Sequence, residues 1–460
     1  MGGPTVEDLR ERVRGVVVTP ADEGYEEARR VYNGMVDRRP AVVVRVANAG
    51  DVIAAVDHAR ENGLDLAVRG GAHSAPGFGT CDDGLVIDFS GLHGVRIDPE
   101  RRTARCEGGV TWGDLNAAGY AFGLGVTGGI ISTTGIAGLT LNGGFGHLAR
   151  GMGLSCDNLI SADVVTADGR FHTVSAEQEP ELFWALRGGG GNFGAVTSFE
   201  YRLSPVKDVI AGPMVFELEY AGDVLRFYRE FIQDAPEQLG LFPGFHIAPP
   251  LPFVPEDRVG DNFILLVPCW SGPPAEAEKV LAPLRDAAPM LAEGVGPVPY
   301  PAFGAAFDPL LPPGLQQYWK GLFAGELTDG AIAAHLEYGR LVPTVNSGVH
   351  IYPINGACHR VPADGTAFAY RDATFATVIA GVWPDPADNA ANTSWVRDYY
   401  AALAPHSEAG GYIGFMDHDD QHRIQDNYRG NYDRLAQAKR RYDPGNLFHL
   451  NQNIKPGTAA

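Results

Sequence analysis

Cysteine is scarce in this sequence, and its five cysteines lie far apart and never form a C-x-x-C pair. An odd number at this spacing disfavours a disulfide framework and excludes a zinc-ribbon site. Long apolar runs are missing as well. None reaches the roughly 20 residues that a membrane-spanning helix needs, and the opening segment has no apolar core of the kind found in secretory signals. We therefore expect a cytoplasmic protein with no membrane partner.

Positive charge is also in short supply, since 36 Lys and Arg residues stand against 56 Asp and Glu residues, a formal net charge of −20. Such a chain repels the phosphates of nucleic acids and anionic membranes, so neither is an expected partner. With 460 residues, 45% of them hydrophobic, the chain is long enough for two or three domains. Its 59 glycines and 33 prolines favour a loop-rich enzyme over a helical bundle.

Signatures of several other enzyme classes are absent or incomplete. The sequence has no G-x-S-x-G and no Walker A motif, so it gives no support to a serine hydrolase or a P-loop nucleotide-binding enzyme. His418 and His422 lie four residues apart and could form a metal pair if helical. Because no third ligand accompanies them and the segment is rich in Asp, we expect a solvated loop and no metal.

The pattern of the sequence changes near residue 205. Before that point, strand-like segments such as 41–46 alternate with helices such as 51–63, and the glycine-rich stretch 124–153 fits no regular element. After it, four longer strand-like segments alternate with helices, which predicts an α+β region with its own core. These strand-like segments are 215–220, 263–270, 349–354 and 374–383.

Three glycine-rich segments indicate a bound cofactor. Segment 69–74 (RGGAHS) follows a strand, and consecutive glycines let backbone N–H groups point into one concavity suited to a pyrophosphate. Taken alone, the segment favours a simple glycine turn with a surface histidine. Segment 128–146 is too long and too rich in small residues for a bare turn, so we expect it to approach a flat ligand or another chain segment.

The third glycine-rich segment, 188–194, contains G-x-G-x-x-G but does not fit a nicotinamide site. A helix precedes it and a strand follows, the reverse of the strand–turn–helix order of a Rossmann unit. A nicotinamide-dependent dehydrogenase is therefore disfavoured. The segment can still form another wall of a cofactor site.

Taken in order, these segments resemble the FAD-linked oxidase family of the vanillyl-alcohol oxidase type, in its berberine-bridge-enzyme-like branch. The resemblance covers nearly the whole chain. Its most specific parts are the RGGAHS loop, segments 138–169 and 181–194, the TAFAYRD segment at 366–372 and the tail at 442–456.

The resemblance implies an α+β fold in three parts. Residues 1–205 would form a PCMH-type FAD-binding domain of two α/β subdomains. Residues 206–405 would form a substrate domain with an antiparallel sheet flanked by helices. Residues 406–460 would return to the FAD-binding domain as a C-terminal segment.

The resemblance also implies an activity. The enzyme would take a hydride from a small organic substrate (an alcohol, an amine or a secondary-metabolite intermediate) and reduce O2 to hydrogen peroxide. The alternative is an oxygenase that uses a stable oxygenated flavin in secondary metabolism. A non-catalytic flavin carrier is a further possibility. The expected partners are the substrate and O2, and we expect a monomer or homodimer.

His73 matches the family histidine that bonds covalently to the flavin 8α-methyl group. A second bond, from a cysteine, occurs in many members, but that position here is Ile131, and Cys156 lies elsewhere in the motif. The resemblance therefore implies a single covalent link. The full set of implied FAD-binding residues is Arg69, Gly70, Gly71, Ala72, His73, Ser74, Gly129, Thr133, Thr134, Gly135, Gly138, Leu139, Asn142, Gly143, Gly144, Gly146, His147, Gly153, Leu154, Asp157, Asn158, Val164, Gly191, Asn192, Val196, Tyr412, Asn451 and Asn453.

Three residues are candidates for catalysis: Tyr412, His350 and Thr134. Tyr412 matches a family tyrosine that accepts the substrate proton, but Gly414 replaces the asparagine of that motif. Since an unperturbed tyrosine has a pKa near 10, the role requires a cationic or electron-poor neighbour, and a packing role is equally consistent with the sequence. His350 is a second candidate, together with Tyr352 and Tyr370, on strands expected to face the flavin.

Thr134 corresponds to the position beside the oxygen-reactive edge of the flavin. Its volume is close to that of the valine found in many oxidases, so oxygen should enter. Its hydroxyl is an added donor, and together with Leu139 it resembles the family members that keep an oxygenated flavin. The aromatic content of the substrate region indicates a flat or aromatic substrate. The residues concerned are Tyr318, Trp319, Phe323, Tyr352 and Tyr370.

Overall fold

The computed structural model describes residues 3–250 and 252–458. Residues 1–2 and 459–460, at the outer limits of the first and third predicted parts, lie outside the described residues, as does residue 251 in the second. Among the described residues, no helix has the length and apolar character needed to cross a membrane.

The first 90 residues build a four-stranded sheet in the order β1-β2-β4-β3. Strands β2, β4 and β3 run parallel and β1 is antiparallel to β2. The predicted helix at 51–63 is confirmed, and Gly63 ends it in the left-handed conformation. The elements are α1 (Val6–Arg12), β1 (Val16–Val18), α2 (Tyr25–Ala28), β2 (Val42–Arg45), α3 (Ala49–Asn62), β3 (Leu66–Arg69) and β4 (Leu85–Asp88).

The next segment builds a five-stranded antiparallel sheet in the order β5-β6-β10-β8-β9. The stretch 124–153, which fits no regular element by its sequence, contains β7 and two helices of six and four residues. Elements this short carry no readable periodicity. The elements are β5 (Val95–Asp98), β6 (Thr103–Glu107), α4 (Trp112–Tyr120), β7 (Leu124–Gly125), α5 (Ile136–Leu141), α6 (Ala149–Met152), β8 (Leu159–Val165), β9 (Phe171–Ser175), α7 (Pro180–Leu186), β10 (Ala195–Arg202) and β11 (Ser204–Pro205).

The third sheet is antiparallel and has nine strands. Seven of them run in the order β16-β13-β15-β14-β19-β20-β18, and β12 pairs with β15 and β17. The elements are β12 (Asp208–Ala211), β13 (Met214–Glu217), α8 (Ala221–Asp234), β14 (Leu239–Ile247), β15 (Asn262–Trp270), α9 (Ala277–Arg285), β16 (Met290–Glu293), β17 (Gly296–Pro299), α10 (Tyr300–Phe303), β18 (Gln316–Ala324), α11 (Asp329–Gly339), β19 (Gly348–Pro353), β20 (Phe375–Trp383) and α12 (Asn389–Leu403).

The two faces of this sheet have different neighbours because side chains alternate along each strand. On β19, Val349 and Ile351 join the core formed with helices α8, α9, α11 and α12. Tyr352, on the opposite face, packs with Phe145 and Tyr412 from outside the sheet. The predicted α+β class, with an antiparallel sheet flanked by helices, is confirmed.

The C-terminal segment contains α13 (Ile424–Tyr428) and α14 (Tyr432–Tyr442) and then returns to the glycine-rich segment 188–194. The Lys439 ammonium is fully buried, lies 2.7 Å from the Asp443 carboxylate and donates to the carbonyl oxygens of Asn192 and Phe448. The side-chain oxygen of Asn192 accepts from the Ile454 backbone. The predicted domain limits at residues 205 and 405 stay a prediction.

Candidate cofactor and substrate cavity

A cavity of about 350 Å³ lies between the three glycine-rich segments and one face of the nine-stranded sheet. This volume is in the range of small-molecule sites. Of the implied FAD-binding residues and the three candidates for catalysis, seventeen line it. They are Arg69, Gly70, Gly71, Ala72, His73, Ser74, Gly129, Thr134, Gly135, Gly138, Leu139, Asn142, Gly191, Val196, His350, Tyr412 and Asn451.

The part of the cavity that the three glycine-rich segments line is called the cofactor end below. Its glycines contribute to the wall in two different ways. A Cβ atom on Gly71 would come closer than 3.0 Å to the backbone of Gly135, and one on Gly135 closer than 3.0 Å to the backbone of Gly71. The first two glycine-rich segments therefore touch through their backbones. A Cβ atom on Gly138 or Gly191 would meet nothing within 4 Å, so these two glycines leave open space.

His73 stands at the edge of the first glycine-rich segment with both ring nitrogens near hydroxyl groups. Ala72 before it adopts a left-handed backbone with φ of 59°. The His73 ring stacks on Tyr32 at a centroid distance of 3.6 Å. Its Nε2 lies 2.9 Å from Thr133 Oγ1 and its Nδ1 lies 3.4 Å from Thr134 Oγ1. Burial lowers the pKa of His73 to about 3, so the imidazole is neutral at pH 7.

Arg69 lines the cavity, but its guanidinium is committed to the protein. It lies 3.0 Å from the Asp88 carboxylate and donates to the carbonyl oxygens of Ala28 and Arg30. Arg69 therefore anchors the first glycine-rich segment to β4 and to the chain at residues 28–30. Its positive charge is balanced by the Asp88 carboxylate.

Twelve predicted FAD-binding residues do not line the cavity. The Thr133 hydroxyl instead lies 2.9 Å from Nε2 of His73 and 3.2 Å from the Tyr32 hydroxyl. Asp157 instead pairs with Arg371 at 2.6 Å and accepts from the backbone of Leu154, and the Asn158 amide donates to backbone carbonyls. These contacts hold the second glycine-rich segment in place. The residues outside the lining are Thr133, Gly143, Gly144, Gly146, His147, Gly153, Leu154, Asp157, Asn158, Val164, Asn192 and Asn453.

The C-terminal segment brings an amide to the cavity wall. Asn451 donates from its side-chain nitrogen to the carbonyl oxygens of Gly191 and Phe448. Its Oδ1 is buried and has no partner among the described residues. Asn451 therefore presents a free acceptor at the cofactor end.

Tyr412 lines the cavity in an apolar setting. Its ring packs on Phe145 and Phe415 at centroid distances of 4.7 and 4.8 Å, and its hydroxyl is 3.4 Å from the Leu139 carbonyl oxygen. Burial raises its pKa. Arg69 is the one Asp, Glu, Lys or Arg side chain that lines the cavity within the described residues, so no other cation there can lower the pKa of Tyr412.

His350 and Tyr352 line the cavity from β19, and a second histidine joins them. His350 Nδ1 lies 2.7 Å from the Tyr352 hydroxyl and its Nε2 lies 2.7 Å from Nε2 of His246 on β14. Tyr370 differs from the prediction. It lies outside the strands and the cavity lining, and its hydroxyl donates to the Asp426 carbonyl oxygen.

The part of the cavity that faces the nine-stranded sheet is called the substrate end below, and apart from the amide of Asn346 the rest of it is mainly apolar. Of the predicted aromatic residues, Trp319 and Tyr352 line it, whereas Tyr318 turns away and donates to Asp419 at 2.6 Å. Phe323 also lies outside the lining. The apolar lining at this end consists of Ile130, Ile131, Phe145, Phe307, Leu310, Leu311, Trp319, Val378, Ala380, Val382 and Phe415.

The His418–His422 pair forms no metal site with the residues around it. Both lie in a short 3₁₀ helix, and Nε2 of His418 is 2.8 Å from the Pro76 carbonyl oxygen. Throughout residues 3–250 and 252–458, no group of three or more His, Cys, Asp or Glu side chains could hold a metal ion.

Known proteins match this chain along almost its whole length. Residues 40–175 match the family model described as FAD binding domain, and residues 411–455 match Berberine and berberine like. An FAD-linked oxidoreductase of Dictyostelium discoideum is 31% identical over 98% of this chain and 97% of its own. The (R)-6-hydroxynicotine oxidase of Paenarthrobacter nicotinovorans is 29% identical over 96% of this chain and 97% of its own. The crystal structure of 6-hydroxy-D-nicotine oxidase from Arthrobacter nicotinovorans has a TM-score of 0.85 at 27% identity and covers 97% of this chain and 98% of that one.

Proposed function

The chain belongs to the FAD-linked oxidoreductases of the berberine-bridge-enzyme-like family. We propose that it is an oxidase that takes a hydride from a small, neutral, largely apolar organic molecule. One observation carries the proposal. A single cavity has glycine backbone and a neutral histidine at one end, and aromatic side chains with a few hydrogen-bonding groups at the other. A cofactor and a substrate can therefore meet within it.

The cofactor end fits FAD. Gly138 and Gly191 leave the wall open where any larger side chain would project inward, segment 69–74 supplies backbone N–H groups for a pyrophosphate, and Asn451 Oδ1 is a buried acceptor in need of a donor. These residues would hold FAD, which supplies a two-electron acceptor that O2 can reoxidise. Thr133 and Tyr32 would hold the His73 ring in place.

We assign a single covalent link to FAD at His73. A neutral imidazole has a free lone pair, as a bond to carbon requires. Ile131 lines the cavity at the position where a cysteine would make the second bond. Cys156 lies outside the lining, and burial raises the pKa of its thiol, which opposes the thiolate that such a bond needs.

The substrate end selects for a neutral molecule. Its polar groups are the imidazoles of His246 and His350, whose pKa values burial lowers, the Tyr352 hydroxyl, the Trp319 indole N–H and the Asn346 amide. No carboxylate lines it within the described residues. Because a buried charge needs a partner, a cationic amine or an organic acid would be disfavoured there. An aromatic or aliphatic alcohol fits better.

Thr134 controls the reaction of reduced FAD with oxygen in this proposal. Its side chain lines the cavity beside His73 and is no larger than valine, so O2 can enter and leave as hydrogen peroxide. Its hydroxyl and the neighbouring Leu139, which also lines the cavity, favour the oxygenase as the second candidate. The cytoplasmic location and the monomeric or homodimeric state stay predictions.

A panel of benzylic and aliphatic alcohols, amines, sugars and phenols tests the function. Anaerobic bleaching of the flavin absorbance by a neutral alcohol supports an oxidoreductase with the proposed selectivity, whereas no bleaching by any compound would favour a flavin carrier. With O2 present, one peroxide per substrate supports the oxidase. Labelled oxygen in the product with little peroxide would establish the oxygenase instead.

A further inference from the structure

Two histidines on neighbouring strands face each other beside the cavity. The register of β14 and β19 places Gly244 opposite His350. A Cβ atom on Gly244 would come closer than 3.0 Å to the His350 ring, and one on Gly348 would overlap the His246 ring. Each imidazole therefore occupies space that a glycine on the other strand leaves open.

The two imidazoles and a tyrosine form one hydrogen-bonded chain. Nε2 of His350 lies 2.7 Å from Nε2 of His246, and Nδ1 of His350 lies 2.7 Å from the Tyr352 hydroxyl oxygen. All three side chains line the cavity. Because two Nε2 atoms at this distance share one hydrogen, neutral rings must hold opposite tautomers, one with Nδ1–H and the other with Nε2–H.

The surroundings keep both rings neutral. Phe242 packs on the His350 ring at a centroid distance of 4.8 Å. The other titratable groups facing the pair are Tyr352 on β19 and His147, which lies just before α6. Burial lowers the pKa of His246 to about 4, and burial together with the neighbouring histidines lowers the pKa of His350 well below its ordinary value.

A similar pair elsewhere in the same region has no access to the cavity. Nδ1 of His335 on α11 lies 2.7 Å from the Tyr399 hydroxyl on α12. Both side chains are buried, and neither lines the cavity. This pair reproduces the His350–Tyr352 hydrogen bond without the second imidazole, and it provides a matched control.

We propose that Tyr352, His350 and His246 form a relay that accepts the hydroxyl proton of the substrate while the hydride leaves to FAD. The inference rests on the oxidase function proposed above and specifies its substrate as an alcohol with its hydroxyl on the carbon that is oxidised. Tyr352 is the residue that contacts the substrate, and the two histidines act through it.

The relay requires one proton to shift at each link. The substrate O–H bond breaks as its proton passes to the Tyr352 oxygen, the Tyr352 proton passes to Nδ1 of His350, and the Nε2 proton of His350 passes to Nε2 of His246. The substrate loses two electrons with the hydride and becomes a carbonyl compound, with FAD as the oxidant. The extra proton on His246 is returned when O2 takes the two electrons and forms hydrogen peroxide.

The first test needs no turnover. In holoenzyme labelled with ¹⁵N-histidine, His246 and His350 should show opposite neutral tautomers. Phenol, which has a hydroxyl but no C–H on its carbinol carbon, should shift the imidazole signals of His350 and leave those of His335 unchanged. Tyr352→Phe should abolish the phenol effect. Equal tautomers, the absence of a phenol effect, or an effect that survives Tyr352→Phe would overturn the relay.

The second test measures anaerobic FAD reduction by an alcohol from the panel. Tyr352→Phe should slow reduction by about 10²–10³-fold, as should His350→Gln, while the control Tyr399→Phe should slow it by less than about threefold. The rate of the unaltered enzyme should stay constant from about pH 8 to about pH 5 and fall toward pH 4, because a protonated His246 cannot accept a proton. Equal slowing by the two tyrosine variants would contradict the relay.

The two tests separate the relay from the oxidase function. If no compound bleaches the flavin, the proposed function fails, and the tautomers and the phenol effect still decide whether the hydrogen-bonded chain exists and reaches a hydroxyl group in the cavity. If an alcohol bleaches the flavin equally fast with and without the Tyr352 hydroxyl, the relay fails and the oxidase function stands.

Discussion

The two ends of the cavity are built by different means. At the cofactor end the wall is largely backbone, where Gly71 and Gly135 touch and Gly138 and Gly191 leave space. At the substrate end the wall consists of side chains from separate strands and from the loops and short turns between them, such as those that contain Phe307 and Phe415. The cofactor end is therefore defined by short contiguous segments, and the substrate end by strands and loops that are far apart in sequence. Changes at the first end should alter FAD attachment and stability, and changes at the second should alter turnover alone.

The largest effect is expected where the C-terminal segment closes the cofactor end. Lys439→Met would leave the buried Asp443 carboxylate without its cation, and breaking a buried pair in this way costs about 3–5 kcal/mol of unfolding free energy. Urea unfolding monitored by fluorescence measures the loss. Lys455→Met, at an exposed lysine of the same segment, should change stability by less than about 0.5 kcal/mol. Equal effects of the two changes would contradict the role of the buried pair.

The second-largest effect on stability is expected at glycines that touch the backbone of another segment. Glycines that face the ligand should affect FAD binding instead. Gly71→Ala would push against the backbone of Gly135 and should reduce stability by about 1–3 kcal/mol, with loss of FAD. Gly138→Ala, with open space around the new methyl group and a helical backbone in α5, should not destabilise the FAD-free protein and should lower only the FAD content. A normal FAD content in Gly71→Ala would remove this distinction.

A smaller effect is expected from the corresponding change at the substrate end. Gly348→Ala would displace the His246 ring and should slow FAD reduction by about 10–100-fold, a part of the usual contribution of a proton acceptor. The absorbance of bound FAD should be unchanged. Gly296→Ala, on β17 of the same sheet with nothing within 4 Å, is the control. Loss of FAD from Gly348→Ala would show that the two ends are not separable.

The smallest effect is expected at Tyr412. Its hydroxyl has one long contact, at 3.4 Å, and burial raises its pKa, so Tyr412→Phe should slow anaerobic reduction by less than about threefold. Stopped-flow absorbance provides the measurement. Slowing by about 10²-fold or more would restore Tyr412 as the proton acceptor.

Much of the cofactor end could be predicted from the sequence because its motifs are contiguous. Segment 69–74 contains the turn, the glycines and His73 within six residues, and all six line the cavity. The sequence could not show which residues of a family motif line the cavity and which make packing contacts. Asp157 and Asn158, for example, hold their own segment together through contacts that only the folded chain reveals.

The substrate end could not be predicted to the same depth. His246 and His350 are 104 positions apart, and no local pattern indicates that β14 and β19 are neighbours. Tyr32, which stacks on His73, is also distant in sequence from its partner. The prediction of a strand at Tyr370 is wrong, because the chain forms no strand there. In each case the missing information is how distant segments of the chain are arranged around one another in the folded protein.

The attachment of FAD is the most direct test of how the cofactor end works. With a single bond at His73, acid-precipitated protein stays yellow, peptide mass spectrometry finds one FAD on the peptide containing His73, and His73→Ala releases FAD to the supernatant. An unmodified His73 peptide with free FAD in the supernatant of the unaltered protein, or the mass of FAD on the peptide containing Cys156, would contradict this attachment.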